Sequence, residues 1–390
     1  GGTNLDYGTS VAVDKSGNVY STGYFYGTGD FDPGPDTFNL TSVGGYDIFI
    51  SKLDSSGNFL WAVNIGESLP AYGMSLTIDS SGNSYTTGFF QGTADFDPGA
   101  GTYNLTSDSL DVFVLKLDTY GNFLWAKRLG GSMRDYGNSL AVDVSGNVYT
   151  TGYFEGTADF DPDTLTSYYL TASAYSDIFI SKLDSSGNFL WAKKVGGLSG
   201  DYGESIAVDL SGNVYSTGCF GQTVDFNPGP GSYSLTSAGN EDIYVLKLDT
   251  YGNFLWAKRM GGTSGERGYS LALDCSDNVY TTGYFAQTSD FDPGTGTFNI
   301  TSSGSWDIFI SKLNASGNFV WALSMGSATN DIGNSLALDP SGNIFNMGVF
   351  TGTVDFDPGA GVSNLTSSGQ YDTYVLKLKP LLALSSQPVD

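Results

Sequence analysis

The sequence predicts an all-β fold: a six-bladed β-propeller with four antiparallel strands per blade and an inserted β-hairpin between the second and third. Three observations carry that expectation. The segment Ser10-Val11-Ala12-Val13-Asp14 returns with Asp79, Asp143, Asp209, Asp274 and Asp339 as its last residue, at steps of 64 to 66. Each copy then runs through the same units in the same order, among them Thr-Gly-Tyr-Phe, Asp-Phe-Asp-Pro-Gly and Asp-Ile-Phe-Ile-Ser-Lys-Leu-Asp. No helical period persists anywhere, while 54 Gly, 25 Tyr and 25 Phe beside abundant Ser, Thr and Asn describe short strands joined by tight turns. A fixed period overrides the two or three domains that length alone suggests.

In the first copy, residues 10–14 form a short strand A of small residues. Residues 14–18, Asp-Lys-Ser-Gly-Asn, form a turn in which Gly17 is free to take positive φ. Residues 18–25 form strand B, rich in Val, Tyr and Thr. Residues 47–53 form strand C, and residues 54–58 repeat the turn chemistry. Residues 59–62, Phe-Leu-Trp-Ala, form strand D. Two tight hairpins therefore share one edge of the sheet. Strand C is apolar on both faces, with Ile48 and Ile50 on one side and Phe49 and Leu53 on the other, so the sheet has to be covered twice. Radial stacking of similar sheets does this and leaves only short edges. Small strand-A residues fit a crowded axis, and Phe59 and Trp61 fill the wider outer wedge. The competing linear solenoid usually repeats every 20–45 residues.

The pattern Ser-x-Ala-Val-Asp-x-Ser-Gly-Asn-Val-Tyr-x-Thr-Gly, followed by Asp-x-Phe-x-x-Lys-Leu-Asp-x-x-Gly-Asn-Phe-Leu-Trp, resembles the SBBP β-propeller repeat, a relative of NHL repeats. The Asp-Phe-Asp-Pro-Gly insert is similar to versions in secreted and surface proteins of Bacteroidota-like bacteria. The resemblance covers about residues 1–379. It implies a propeller and an extracellular or cell-surface setting, and it implies no activity. The family name suggests seven blades; the count of copies gives six.

The expected organisation is a single propeller over residues 1–379, with blades at about 1–65, 66–129, 130–195, 196–260, 261–325 and 326–379, and a tail over 380–390. Six A, B and C strands stand against only five D strands. The sixth outer strand is expected from the apolar tail at Leu381 to Ser385, from a segment upstream of Gly1, or by strand exchange with a neighbouring subunit, since an open edge invites pairing.

The formal charge of −25 excludes nucleic acid as a partner, because phosphates need a basic footprint. With no histidine, histidine metal sites and histidine general bases are excluded too. No apolar run approaches a membrane span. Cys219 falls where other copies carry Tyr24, Phe89, Tyr153, Tyr284 and Val349, which reads as an apolar wall position. Cys275 falls in a turn. Free thiols are expected at both.

Between strands B and C each copy carries an insert that reads as an extra hairpin on the edge opposite the tight turns. The six inserts hold sixteen Asp or Glu and no Lys or Arg. Their paired positions are Asp30/Asp32, Asp95/Asp97, Asp159/Asp161, Asp225/Asn227, Asp290/Asp292 and Asp355/Asp357. Residues i and i+2 of an extended segment point to one side, and adjacent hard oxygens suit Ca²⁺. Asp-Pro-Gly is equally a turn formula that needs no ion. On that reading the first Asp is free to pair with the strand-C lysine, which recurs as Lys52, Lys116, Lys182, Lys247, Lys312 and Lys377.

Catalysis needs groups unique to one copy, and those are Glu67, Glu155, Glu204, Glu241, Glu266, Arg134, Arg267 and Trp306. No copy concentrates them. Solvated surface charge is the expectation for the glutamates, and packing for Trp306. Lys127-Arg128, Lys193-Lys194 and Lys258-Arg259 read as solvated strand ends, with a partner-facing basic flank as the alternative. The expectation is a non-enzymatic, extracellular interaction or structural module, with Ca²⁺ a possible ligand and a cell-surface protein or glycan as partner. The alternative is a calcium-dependent carbohydrate-binding or hydrolytic propeller.

Overall fold

The computed structural model describes residues 1–380, and every element among them is a β-strand. The chain is a six-bladed propeller made of two compact units, Gly1–Lys194 and Val195–Asp390, with three blades in each. In the first unit, blade 1 comprises β1 (Asp6–Val13), β2 (Val19–Phe25), the hairpin β3 (Thr28–Asp30) and β4 (Asn39–Thr41), β5 (Asp47–Leu53) and β6 (Phe59–Ile65). Blade 2 comprises β7 (Ala71–Ile78), β8 (Ser84–Asp95), β9 (Asn104–Leu117) and β10 (Phe123–Gly131). Blade 3 comprises β11 (Asp135–Val142), β12 (Val148–Phe154), the hairpin β13 (Thr157–Asp159) and β14 (Tyr169–Thr171), β15 (Asp177–Leu183) and β16 (Phe189–Val195).

In the second unit, blade 4 comprises β17 (Tyr202–Val208), β18 (Val214–Asp225), β19 (Ser234–Leu248) and β20 (Phe254–Gly262). Blade 5 comprises β21 (Arg267–Leu273), β22 (Val279–Phe285), the hairpin β23 (Thr288–Asp290) and β24 (Asn299–Thr301), β25 (Asp307–Leu313) and β26 (Phe319–Met325). Blade 6 comprises β27 (Ile332–Leu338), β28 (Ile344–Phe350), the hairpin β29 (Thr353–Asp355) and β30 (Asn364–Thr366), and β31 (Asp372–Leu378).

Every blade runs antiparallel in the order A-B-C-D: blades 1, 3 and 5 are four-stranded sheets, blades 2 and 4 reach six strands by adding the next blade's insert hairpin beside strand D, and blade 6 has three strands among the described residues, β27-β28-β31. The closing strand expected at Leu381–Ser385 lies outside the described residues. The insert is a short hairpin of its own in blades 1, 3, 5 and 6, and in blades 3 and 5 it pairs with strand D of the preceding blade, β13 with β10 and β23 with β20. In blades 2 and 4 it continues strands B and C as one long ribbon, β8-β9 and β18-β19.

Both tight turns of the repeat work as expected. Asp14 Oδ1 accepts the amides of Ser16 (2.8 Å) and Asn18 (3.0 Å), its Oδ2 accepts Asn18 Nδ2 (2.8 Å), and Gly17 sits at φ +82°. Asp54 binds Ser56 and Asn58 in the same way before strand D.

Strand A starts earlier than its small residues suggested, at Asp6, and its register against β2 shifts between Gly8 and Ser10. The extra residue, Thr9, donates its hydroxyl to Thr22 O (3.2 Å) and to Gly73 O in the next blade (2.7 Å). This bulge explains the recurring Thr-Gly of strand B. A Cβ at Gly23, Gly88 or Gly152 would lie 1.8–1.9 Å from the carbonyl oxygen of Tyr7, Tyr72 or Tyr136 on the paired strand.

Within each unit the apolar core lies between consecutive blades. One cluster joins Tyr20, Ile48 and Ile50 of blade 1 to Leu76, Phe90 and Phe113 of blade 2. A second joins Val112 and Val114 of blade 2 to Leu140, Phe154 and Phe179 of blade 3. In the second unit, Ile243 and Val245 meet Leu271 and Phe285, and Ile308 and Ile310 meet Leu336 and Phe350. The indole of Trp61 donates to Thr119 O (3.1 Å), and Trp256 donates to Ala315 O (3.3 Å), tying each outer strand to the next blade.

The carbonyl contact at the bulge predicts that Gly152→Ala costs about 3 kcal/mol through overpacking. Gly369→Ala, where an added Cβ meets nothing within 4 Å, changes stability by less than about 0.5 kcal/mol. Urea denaturation of the two variants checks the contrast.

Candidate functional site

The insert hairpins place the two Asp of each Asp-x-Asp on one side and the intervening aromatic on the other. Phe96, Phe160, Phe226 and Phe291 are fully buried, and Phe31 packs on Phe25 at 5.2 Å. The carboxylates are held by their own backbone. Asp30 Oδ1 accepts the amides of Asp32 (3.1 Å) and Phe38 (2.9 Å), and Asp32 Oδ1 accepts that of Gly34 (2.7 Å). Asp95 binds the amides of Asp97 and Tyr103, and Asp97 that of Gly99. Asp159 and Asp161 repeat the scheme, with Thr166 Oγ1 added on Asp161 Oδ2 (2.7 Å).

In the second unit Asp225 and Asn227, Asp290 and Asp292, and Asp355 and Asp357 do the same. The Phe38 and Asp32 amides hold the Asp30 carboxyl below the ordinary carboxylate range, and the Ser363 and Asp357 amides do so for Asp355. The hairpins of blades 1 and 6 thus offer fixed negative charge at neutral pH. Among the described residues, no group of three or more acidic or cysteine side chains converges as a metal site.

The strand-C lysines do not reach these aspartates. Lys52 Nζ lies 4.6 Å from the centre of the Tyr20 ring and donates to Thr119 O (3.0 Å) and Oγ1 (2.9 Å) in the next blade. Lys116, Lys182, Lys247 and Lys312 lie over Tyr85, Tyr149, Tyr215 and Tyr280, and Lys377 over Phe345. Lysine and hairpin sit at opposite ends of strand C, because the ladder pairs Lys52 with the start of β2 and Asp47 with its end.

The basic strand ends also depart from the solvated expectation. Arg128 pairs with the buried Asp111, Lys194 with the buried Asp177 (2.8 Å) and Arg259 with the buried Asp242. The partner is the aspartate that opens strand C. In blade 1 the same place holds Asn64, which donates to Asp47 Oδ2 at 3.1 Å.

Two glutamates expected in solvent are enclosed. Glu266 is fully buried, accepting the amide of Gly262 (3.0 Å) and the hydroxyl of Ser289 (3.1 Å). It fills the place of Asp135 in blade 3, which accepts the amide of Gly131 (2.8 Å). Glu204 lies 3.5 Å from the Arg267 guanidinium, as does the half-buried Glu241. Arg267 also packs over the Tyr202 ring (4.7 Å) and donates through Nε to Cys219 Sγ (3.0 Å). Cys219 is buried and Cys275 exposed, and both are free thiols. Glu67 and Arg134 are exposed, Glu155 is half-buried, and Trp306 stacks on Tyr284 at 4.7 Å.

One feature of the first unit was missed from the sequence. Tyr7, Tyr24, Tyr72, Phe89, Tyr136 and Tyr153 form a continuous row, with successive ring centres 4.6–5.0 Å apart and Tyr46 flanking Tyr24 and Tyr72. The signal was present as an aromatic at the second residue of each strand A of this unit and another, Tyr24, Phe89 or Tyr153, on each strand B. In the second unit Cys219, Arg267, Ile332 and Val349 interrupt the row.

Residues 124–153 and 190–218, each running from strand D of one blade into strand B of the next, match the SBBP β-propeller repeat. The chain is similar to SBBP β-propeller repeat proteins over these two segments. It is 25% identical over 403 residues to an uncharacterized WD repeat-containing protein of Acanthamoeba polyphaga mimivirus, covering 84% of this chain and 29% of that protein. It is 27% identical over 207 residues to the regulatory protein FlaEY of Caulobacter vibrioides, covering 51% of this chain and 21% of the relative. The chain thus spans less than a third of the length of these curated relatives. Among solved structures, Sqt1 from Chaetomium thermophilum aligns at 12% identity with a TM-score of 0.42, over 93% of this chain and 72% of that one.

The buried acids of the blades give stability a defined pH dependence. Burial raises the Asp135 carboxyl to about 8, and the Glu266 and Glu204 carboxyls to about 7. A carboxyl whose folded pKa lies above its unfolded value stabilises the fold below the unfolded pKa, near 4, and loses that contribution as pH rises through the folded pKa. Melting temperature therefore falls between pH 5 and pH 8, and Asp135→Asn, which keeps an acceptor for Gly131, makes that fall shallower. A scan from pH 5 to 9 checks this. A flat profile in the unsubstituted protein contradicts it.

Proposed function

We propose that the protein is a non-enzymatic, extracellular interaction module that presents its insert hairpins to a partner carrying positive charge. One observation carries this reading. The hairpins concentrate sixteen acidic residues with no Lys or Arg, and their paired aspartates are fixed by backbone amides in a copy-by-copy repeat. Such an array supplies long-range attraction and register, which suits recognition. The groups unique to single copies, Glu204, Glu266, Arg267 and Trp306, are spent on packing and ion pairing. The SBBP resemblance supports the extracellular setting.

The aromatic row of the first unit favours a second reading, calcium-dependent carbohydrate binding, since stacked tyrosines offer faces to sugar rings. A protein and glycan array, screened with calcium and with chelator, separates the two. The first reading expects cationic protein ligands that bind without calcium and weaken by about tenfold or more between low and high salt, because their attraction is screened. The triple variant Asp30→Asn, Asp95→Asn and Asp159→Asn abolishes this binding. Glycan signals that vanish with chelator and with Tyr72→Ala establish the second reading. No signal of either kind overturns both.

A further inference from the structure

The aspartate that opens strand C is buried in blades 1 to 5, and its Oδ1 is without a hydrogen-bond partner in Asp47, Asp111, Asp177, Asp242 and Asp307 alike. A carboxylate held that way is costly unless a positive or strongly donating group meets it. Four blades supply such a group from their own strand D, always to Oδ2. It is Asn64 in blade 1, Arg128 in blade 2, Lys194 in blade 3 and Arg259 in blade 4. The ladder sets this geometry. The strand-D residue pairs with the residue two places after the aspartate, Arg128 with Phe113 and Arg259 with Tyr244, so donor and acid share one face of the sheet.

Blade 5 breaks the series. Ser324, paired with Phe309, stands where the cations stand, and Asp307 Oδ2 accepts the amide of Ser303 (2.7 Å). Blades 3 and 4 make the same amide contact, from Ser173 (2.9 Å) and Ala238 (3.0 Å), beside their cation rather than in place of it. The following blade adds a second acid. Asp331 is fully buried and accepts the amides of Ser327 (2.6 Å) and Thr351 (2.9 Å). Burial raises the Asp307 carboxyl, and the charge of Asp331 raises it further. Asp135 and Glu266 stand likewise beside Asp111 and Asp242, but an arginine is present at each of those pairs. All sixteen Lys and Arg of the chain lie among the described residues, and none pairs with Asp307 or Asp331. The place is reached from solvent: Arg128, Lys194 and Arg259 keep 29–31% of their side-chain surface exposed there, and the much shorter Ser324 is half-buried.

We propose that the Asp307 pocket of blade 5 binds a guanidinium or ammonium group from outside the chain, the end of an arginine or lysine side chain on a protein partner. That group takes the position that Arg128, Lys194 and Arg259 take within their own blades. The repeat itself identifies the chemistry, because three copies of the same pocket already hold such a cation on the same carboxylate oxygen. The site rests on the reading of a cationic partner given above. It adds to the long-range attraction of the hairpins one fixed, partly desolvated contact.

The test follows thermal melting of residues 1–390 at pH 7. Ser324→Arg, which supplies in cis the cation of blades 2 and 4, is expected to raise the melting temperature by about 2 °C or more, and to have no effect in an Asp307→Asn background. The external probe is a blocked Gly-Gly-Arg-Gly-Gly peptide at millimolar concentration, compared with its citrulline counterpart at equal ionic strength. The arginine peptide is expected to raise the melting temperature of the unsubstituted protein by mass action, and the citrulline peptide to leave it unchanged. The response is expected to vanish in Ser324→Arg and in Asp307→Asn, and to survive in the triple hairpin variant Asp30→Asn, Asp95→Asn, Asp159→Asn. No gain from Ser324→Arg overturns the site, since Asp307 then needs no cation. A peptide response that persists in Ser324→Arg but is lost in the triple variant also overturns it, while leaving the hairpin reading standing. A rise with agmatine or calcium chloride but not with the arginine peptide assigns the pocket to a free cation and overturns the partner side chain. No response to any probe overturns it as well.

Discussion

A sheet that is apolar on both faces stands only if something dry lies on each side, and here that something is the neighbouring blade. The joint between blades is narrow because strand A brings a glycine, rather than a side chain, against the threonine and branched residue opposite. That close approach brings the Leu76 amide within reach of Ser10 Oγ and the Thr9 hydroxyl within reach of Gly73 O. Strand A must bulge to present Thr9, and the bulge forces a second glycine onto strand B, because the Tyr7 carbonyl occupies the space of a Cβ at Gly23. Much of the recurring Gly-Thr-Ser pattern is therefore a consequence of one packing distance. Core clusters that straddle two blades follow from it as well.

The same stacking sorts the acids into two populations. Those on the hairpins lie at the surface, and the amides of their own turns hold Asp30 and Asp355 ionised. Those at the root of strands A and C, such as Asp111, Asp135, Asp242 and Glu266, are shut between strands, and burial raises their carboxyls. Arg128 and Arg259 offset part of that cost for Asp111 and Asp242. A chain with net charge −25 can fold because much of its charge is dispersed over separate hairpins, and part of the remainder is paired or held near neutrality.

Strand order, both tight turns and the insert hairpin were legible because each is local. Asp-x-Ser-Gly-Asn writes its own turn, and Asp-Phe-Asp-Pro-Gly writes a hairpin with an anchoring Phe. Features that depend on how strands pair and which ends they bring together were not legible. Lys52 reads as a partner for Asp30 until the ladder puts them at opposite ends of the strand. Glu266 reads as surface charge until it is recognised as the copy of Asp135 that has to meet a Gly-Gly amide. Arg128 and Arg259 read as solvated ends because the aspartates they serve lie 17 residues earlier, at the far end of a neighbouring strand. The turn reading of the hairpin aspartates, weighed against calcium from sequence, rests on amides that the structure makes explicit. It uses one oxygen of each carboxylate for the backbone.

Native-state hydrogen exchange tests the central claim most directly, because the joint assigns particular amides to the most protected class. The account predicts that Leu76 and Leu140, whose N–H groups cross between blades to serine hydroxyls, exchange only through unfolding of the first unit as a whole. They should match the slowest strand-C amides, such as Val114, while the turn amides of Ser56 and Tyr120 exchange orders of magnitude faster. Leu76 and Leu140 exchanging at turn-like rates while Val114 stays protected would show that blades separate without unfolding, and would contradict the joint as the constraint on which the fold depends.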